Sequence, residues 1–264
     1  MKKTYILLFF GILFSTILAQ DKAVLRMGIE FGNGFVDGEL PGKWNIRQSL
    51  NSQYYDYHGR DPYGGGSIFE SGFSYVGIKP QVSFFNERLN VYSGLRLMML
   101  SSSIGNGKNG DAIYLRTNNT DAIEFYKVIS ITEKTRYLTI PLEVSYNLFR
   151  SGVFTKDVYF SGFFKIGGEA GVKAYDKRNI RFESSKMQVH EKEVLAMVDT
   201  KLNSVYVTTY TALGFQLTTA NGMQYSAEAV LPSGIRSKNN FNLIVPDAFS
   251  GFQFSVQVPL KLIF

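Results

Sequence analysis

Between Leu138 and Leu148 every second position is apolar: Leu138, Ile140, Leu142, Val144, Tyr146 and Leu148 fall on one face, and Thr139, Pro141, Glu143, Ser145 and Asn147 on the other. A period of two belongs to a strand with two unlike faces; a helix would scatter both sets. The same alternation runs to the end of the sequence, with Phe252, Phe254, Val256, Val258, Leu260, Leu262 and Phe264 set against Gln253, Ser255, Gln257, Pro259 and Lys261. Six further segments follow the rule over stretches of about ten residues, the length that crosses a bilayer at a strand tilt near 45°. They are Val24 to Gly32, Phe73 to Phe84, Leu89 to Met99, Val158 to Tyr175, Val205 to Leu217 and Met223 to Leu231. In the second of them Val76, Ile78, Pro80, Val82 and Phe84 share the apolar face, and Tyr75, Lys79, Gln81 and Ser83 the polar one.

The connections alternate in length. Residues 85–88, 150–157 and 218–222 are short or modest, the last carrying an Asn221-Gly222 turn signal. Residues 33–71, 100–135, 176–204 and 232–248 are long and polar. Short turns at one end and long loops at the other suit an eight-stranded antiparallel transmembrane β-barrel, with periplasmic turns and extracellular loops. Alternation alone leaves open which face is inside, and a soluble secreted β-barrel would reverse the polarity. Three features together place the apolar face outside: the loop asymmetry, the apolar last strand and an export leader. Lys2 and Lys3 followed by the apolar run Tyr5 to Leu18 read as a signal peptide over residues 1–20, with Ala19 at the cleavage point, leaving 21–264 as one barrel domain. No stretch of 18 apolar residues follows, so a membrane location means crossing by strands. Pro80, Pro141 and Pro259 count against uninterrupted strands, because proline withholds a ladder hydrogen bond.

Composition agrees with strands: 25 Gly, 16 Tyr and 22 Phe stand beside only 19% charged residues. The net charge of +6 falls to +4 once Lys2 and Lys3 leave with the leader. That mild excess, without basic runs interleaved with aromatics, points to anionic headgroups at a membrane rim, such as outer-membrane lipid and lipopolysaccharide, and away from nucleic acid. The lack of cysteine excludes disulfides, thiolate metal sites and a lipid anchor on Cys.

With the apolar face outside, the inward face is charged. Arg26, Lys79, Arg96, Lys165, Lys173 and Lys261 would meet Glu30, Glu143, Glu169 and Glu228 in a lumen narrow enough to be filled by side chains. Unpaired charges there would cost several kcal/mol each, so these groups are expected to pair, Glu143 with one or more of the basic residues. Only His58 and His190 offer neutral-pH bases. His58, near Asp56, Ser52 and Ser67, supports an alternative reading as a lipid-modifying enzyme acting at the rim. His190 has Glu191 and Glu193 nearby but no second His, a poor metal set. Gly64-Gly65-Gly66 lacks the Lys-Ser/Thr ending of a phosphate loop. No catalytic, metal or cofactor site is expected. Loop 33–71, with Trp44, Tyr54, Tyr55 and Tyr57, is the better candidate for a protein contact, since rigid aromatics give large area at low entropy cost.

The chain resembles the PorT-like family of outer-membrane β-barrel proteins, similar in architecture to OmpX and the OmpA barrel. The most specific element is Tyr137-Leu138-Thr139-Ile140-Pro141-Leu142, which is similar to the family's aromatic-aliphatic-x-Ile-Pro-aliphatic strand. The resemblance implies a non-catalytic accessory or scaffold subunit of an outer-membrane assembly, in secretion or barrel insertion, with other outer-membrane proteins as partners. It also implies that Phe264 is the signal read by the barrel assembly machinery. A stand-alone adhesin or envelope-stability protein is a further reading.

Overall fold

The computed structural model describes residues 23–39, 46–47, 67–106, 113–116, 125–152, 157–197, 204–236 and 245–262. The expected leader, residues 1–20, and Trp44, Tyr54, Tyr55, Tyr57, His58 and Phe264 lie outside them. The strands are β1 (Val24–Glu39), β2 (Ile46–Arg47), β3 (Ser67–Ile78), β4 (Gln81–Phe84), β5 (Leu89–Tyr92), β6 (Leu95–Asn106), β7 (Ile113–Arg116), β8 (Phe125–Gly152), β9 (Tyr159–Phe182), β10 (Val205–Thr218), β11 (Gln224–Arg236) and β12 (Val245–Pro259). They form one antiparallel sheet. From β8 the order runs through β9, β10, β11 and β12 to β1, which pairs back through β3 and β4 to β6 and β5, and these pair with β8 again. The sheet is therefore closed into a ring of eight sides, two of them built from strand pairs, β3 with β4 and β5 with β6. The short β2–β7 pair adds to β8.

Those two sides are broken at the same level, at residues 79–80 and 93–94. Pro80 sits in the first break, and Gly94, at φ 148°, in the second, where a Cβ would lie 2.0 Å from the Ile78 carbonyl oxygen. Ser93 bridges the gap through its backbone N–H to Pro80 and its hydroxyl to the Pro141 carbonyl, 3.0 Å away. Pro141 thus faces the interruption between Tyr92↔Glu143 and Arg96↔Thr139, where a missing donor costs little. Pro232 lies at the β11 register shift, and Pro259 ends β12.

Several expectations are corrected. Much of what read as loop is strand: β1 continues to Glu39, β8 starts at Phe125 and β9 runs to Phe182. In these extensions the outward positions turn polar, as at Lys134, Arg136 and Lys177, so the apolar signal stops while backbone pairing goes on. Residues 176–204 also hold a 3-10 turn, Ser185–His190, leading into helix α1 (Glu191–Met197), whose Val194 is fully buried. The last strand stops at Pro259; Leu260–Leu262 form a 3-10 turn and Lys261 is exposed. Phe84 is buried instead of facing outward, and Phe85 is the exposed neighbour.

Six aromatic rings lie against glycines on the adjacent strand: Tyr75 on Gly32, Phe73 on Gly34, Tyr206 on Gly171, Tyr210 on Gly167, Phe163 on Gly214 and Phe149 on Gly162. All six are cross-strand partners, the arrangement in which an aromatic side chain covers a glycine's bare backbone. A Cβ at Gly171 would come within 2.3 Å of the Tyr206 ring. Gly171→Val is expected to displace that ring and destabilise the fold by about 1–3 kcal/mol, the usual cost of overpacking. A lowered urea midpoint checks this.

Candidate functional site: the interior charge network

The ring's interior is organised around Arg96. Its neighbours in β6 alternate strictly, so an odd–even count alone sends Arg96 inward while Leu95 and Leu97 face out. Its Nε donates to Glu30 at 2.5 Å, one terminal nitrogen to both Glu30 (2.9 Å) and Glu143, and the other to Glu169 (2.7 Å) and the Tyr210 hydroxyl (2.9 Å). The Tyr75 ring stacks on the guanidinium, 4.7 Å from its centroid. Lys79, on the strand break, lies 3.0 Å from Glu30 and 2.6 Å from Glu143. Lys165 reaches Glu228 at 2.5 Å and Glu143 at 3.1 Å. Tyr206 donates to Glu169, Tyr210 to Glu143 and Tyr75 to Gln253, whose amide nitrogen donates to Glu30 at 2.9 Å. The charged members are all buried. All eight sides of the ring supply a member, from Glu30 on β1 to Gln253 on β12, so the network ties the sheet across its whole circumference.

Three cations, Lys79, Arg96 and Lys165, face four carboxylates, Glu30, Glu143, Glu169 and Glu228. The extra negative charge is spread over hydrogen bonds from two tyrosine hydroxyls, the role that satisfied donors must play where water is excluded.

Arg26, expected in this group, is buried at the short-turn end instead. It donates to Glu87 at 2.6 Å, to Ser83 and to the Gly222 carbonyl at 3.1 Å, and so pins the turn 85–88 to the turn 219–223. Phe85, Asn86 and Glu87 all have positive φ, of 52–66°. Three consecutive left-handed residues of this kind persist only where the surroundings fix them. Asn147 donates to the Glu87 carbonyl and Arg150 to that of Asn86. At the long-connection end Tyr137 and Tyr206 meet edge to face, 4.9 Å apart, below a buried pair of Glu133 and Arg178 at 2.9 Å. Burial lifts the Glu133 carboxyl above its ordinary value, and the Arg178 guanidinium opposes that shift.

Of the residues expected in the network, Glu30, Lys79, Arg96, Glu143, Lys165, Glu169 and Glu228 come together, Arg26 joins the turns, Lys173 pairs with Asp176 at 3.5 Å, and Lys261 is exposed beyond the end of β12. Sequence reasoning missed Tyr206, Tyr210, Gln253 and the Glu133–Arg178 pair. Parity had already put Gln253 on the polar face, and the same count within β10 places Tyr206 and Tyr210 inward; Glu133 was hidden in a stretch read as loop. His190 is at the surface, 3.4 Å from Glu193. Among the described residues no three His, Asp or Glu groups converge to hold a metal. No protein-family model matches the chain, and the curated proteins searched contain no match to it.

Proposed function

We propose that the ring is a transmembrane β-barrel of the bacterial outer membrane, exported by residues 1–20, and that it serves as a non-catalytic accessory or scaffold subunit of an outer-membrane assembly. The observation that carries the membrane step is the inverted polarity: on β8 Ile140 and Leu142 are 60% and 62% exposed, while Glu143 between their neighbours is 0% exposed. A protein in water gains nothing by this arrangement; one in lipid requires it. From Leu138 to Leu148 the outward face is unbroken apolar over ten residue steps, roughly 34 Å of strand, which at a tilt near 45° spans about 24 Å, close to the apolar band of such barrels. At its short-turn end Phe85, Tyr146, Phe149, Phe215 and Tyr225 are exposed, where an aromatic girdle belongs. The non-catalytic reading rests on the interior groups being engaged with one another. The role in an assembly, in secretion or barrel insertion, rests on the PorT-like resemblance, with Trp44, Tyr54, Tyr55 and Tyr57, between β1 and β3 in the chain, as the contact residues.

Cell fractionation tests this. The protein is expected in the outer-membrane fraction, migrating faster in gels before boiling than after. Recovery of soluble protein from the periplasm would overturn it. Solubilisation in mild detergent is expected to retain stoichiometric outer-membrane partners, and a chain that purifies alone would remove the scaffold role.

A further inference from the structure

Above the apolar belt, the outer face of the β8–β9 hairpin carries Lys134, Arg136, Lys177 and Arg181, all exposed. Lys134 and Lys177 are direct cross-strand partners, and Arg136 is paired with Tyr175, its guanidinium 5.5 Å from that ring's centroid. Like charges placed directly opposite destabilise a sheet unless an anion lies between them. Among the described acids of this hairpin, Glu133 is buried with Arg178, Asp176 is paired with Lys173, and Glu183 lies two residues beyond Arg181, at the end of the patch away from Lys177. Glu70, outward on β3, lies two strands away, across Ser103. The patch begins two residues beyond Leu138, the last apolar position of the belt, at the height where lipid headgroups would sit. On the next strand Met99 and Ser101 are the partners of Arg136 and Lys134. They line an outer groove of about 440 Å³ together with Phe35, Gly72, Ser74 and Phe252.

We propose that this face binds a phosphate-bearing glycolipid of the outer leaflet, its phosphates bridging Lys134, Arg136, Lys177 and Arg181 and an acyl chain lying in the groove beside Met99. The inference rests on the membrane reading above. Charge complementarity selects the occupant: a cross-strand lysine pair with Arg136 and Arg181 beside it, at the edge of an apolar surface, matches an anionic headgroup joined to a hydrocarbon tail. Each basic side chain near a charged lipid surface contributes a small increment, so the cluster and not one residue supplies the affinity.

The test uses full-length protein folded in a neutral detergent and titrated with lipid A, with retained lipid read by native mass spectrometry. The double change Lys134→Ser with Lys177→Ser is expected to weaken retention roughly thirtyfold, the equivalent of about 2 kcal/mol for two lost contacts. Arg88→Ser, at the short-turn end, should leave it unchanged. Without lipid A the double variant should keep its urea midpoint or raise it, because a repulsive pair has been removed; a marked fall would assign these lysines a structural role and overturn the proposal. Equal retention by variant and wild type would also overturn it, as would displacement of lipid A by inorganic phosphate, which would make the site one for free anions. Failure of the wild type to fold in detergent or enter vesicles would instead refute the membrane reading itself.

Discussion

Arg96→Met is expected to abolish most of the folded protein. The substitution keeps an unbranched apolar stem and removes the guanidinium, the one group that touches Glu30, Glu143 and Glu169 together. Two cations, Lys79 and Lys165, would then face four buried carboxylates, and the Tyr75 ring would lose its guanidinium partner. Removing one member of a single buried pair costs about 3–5 kcal/mol because its partner is left uncompensated. Three carboxylates depend on Arg96, so the loss is expected at or above the top of that range, against a total stability of about 5–15 kcal/mol for a typical domain. Arg96→Lys keeps the charge but not the planar fork that reaches several carboxylates, and falls between wild type and Arg96→Met. Adding Glu30→Gln to Arg96→Met should recover part of the loss, since it removes one of the stranded charges. Urea midpoints in lipid vesicles give the order. An Arg96→Met protein as stable as wild type would mean that the interior charges do not hold the ring together.

The second large effect is at Glu143, which receives Lys79, Lys165, Arg96 and Tyr210. Glu143→Leu is expected to destabilise by about 3–5 kcal/mol. It should nonetheless be milder than Arg96→Met, because it leaves three cations against three carboxylates rather than widening the excess of negative charge. The neighbouring Leu142→Ala should cost much less, as that side chain is 62% exposed and makes few contacts within the protein. The comparison separates the two faces of one strand: a tolerated Glu143→Leu beside a severe Leu142→Ala would reverse the assignment of inside and outside.

Which residues share a face was legible from the chain alone for all but a few, such as Phe84, and so were the eight sides of the ring. Alternation is a local property: consecutive side chains of a strand point to opposite faces whatever the strand pairs with. Leu142 and Glu143 could be placed on opposite faces without knowing a single neighbour. Boundaries were less legible, because the signal used was apolarity and not pairing. Where the outward residues become polar, from Arg136 back towards Phe125 and from Lys173 on to Phe182, the ladder continues unseen by any hydropathy pattern.

Which charges meet was decided only by the closed sheet. Parity put Arg26, Lys79, Arg96, Lys165 and Lys261 on one face, but the height of each within the ring depends on the register between strands far apart in the chain. The register lifts Glu30 and Lys79 to the level of Arg96, Glu143 and Glu228, and leaves Arg26 among the short turns with Glu87, 61 residues along the chain. Lys261 was lost from the set for a covalent reason: Pro259 cannot continue the ladder, and the 3-10 turn that follows carries the lysine out to the surface. The tyrosines joined the network through another non-local condition, since Tyr206 and Tyr210 lie flat only because Gly171 and Gly167 are their partners on β9. Sequence by itself determined which side chains share a face, because side-chain direction is set within the strand. Tertiary structure alone determined the network, because its members meet only when eight strands close at a fixed stagger.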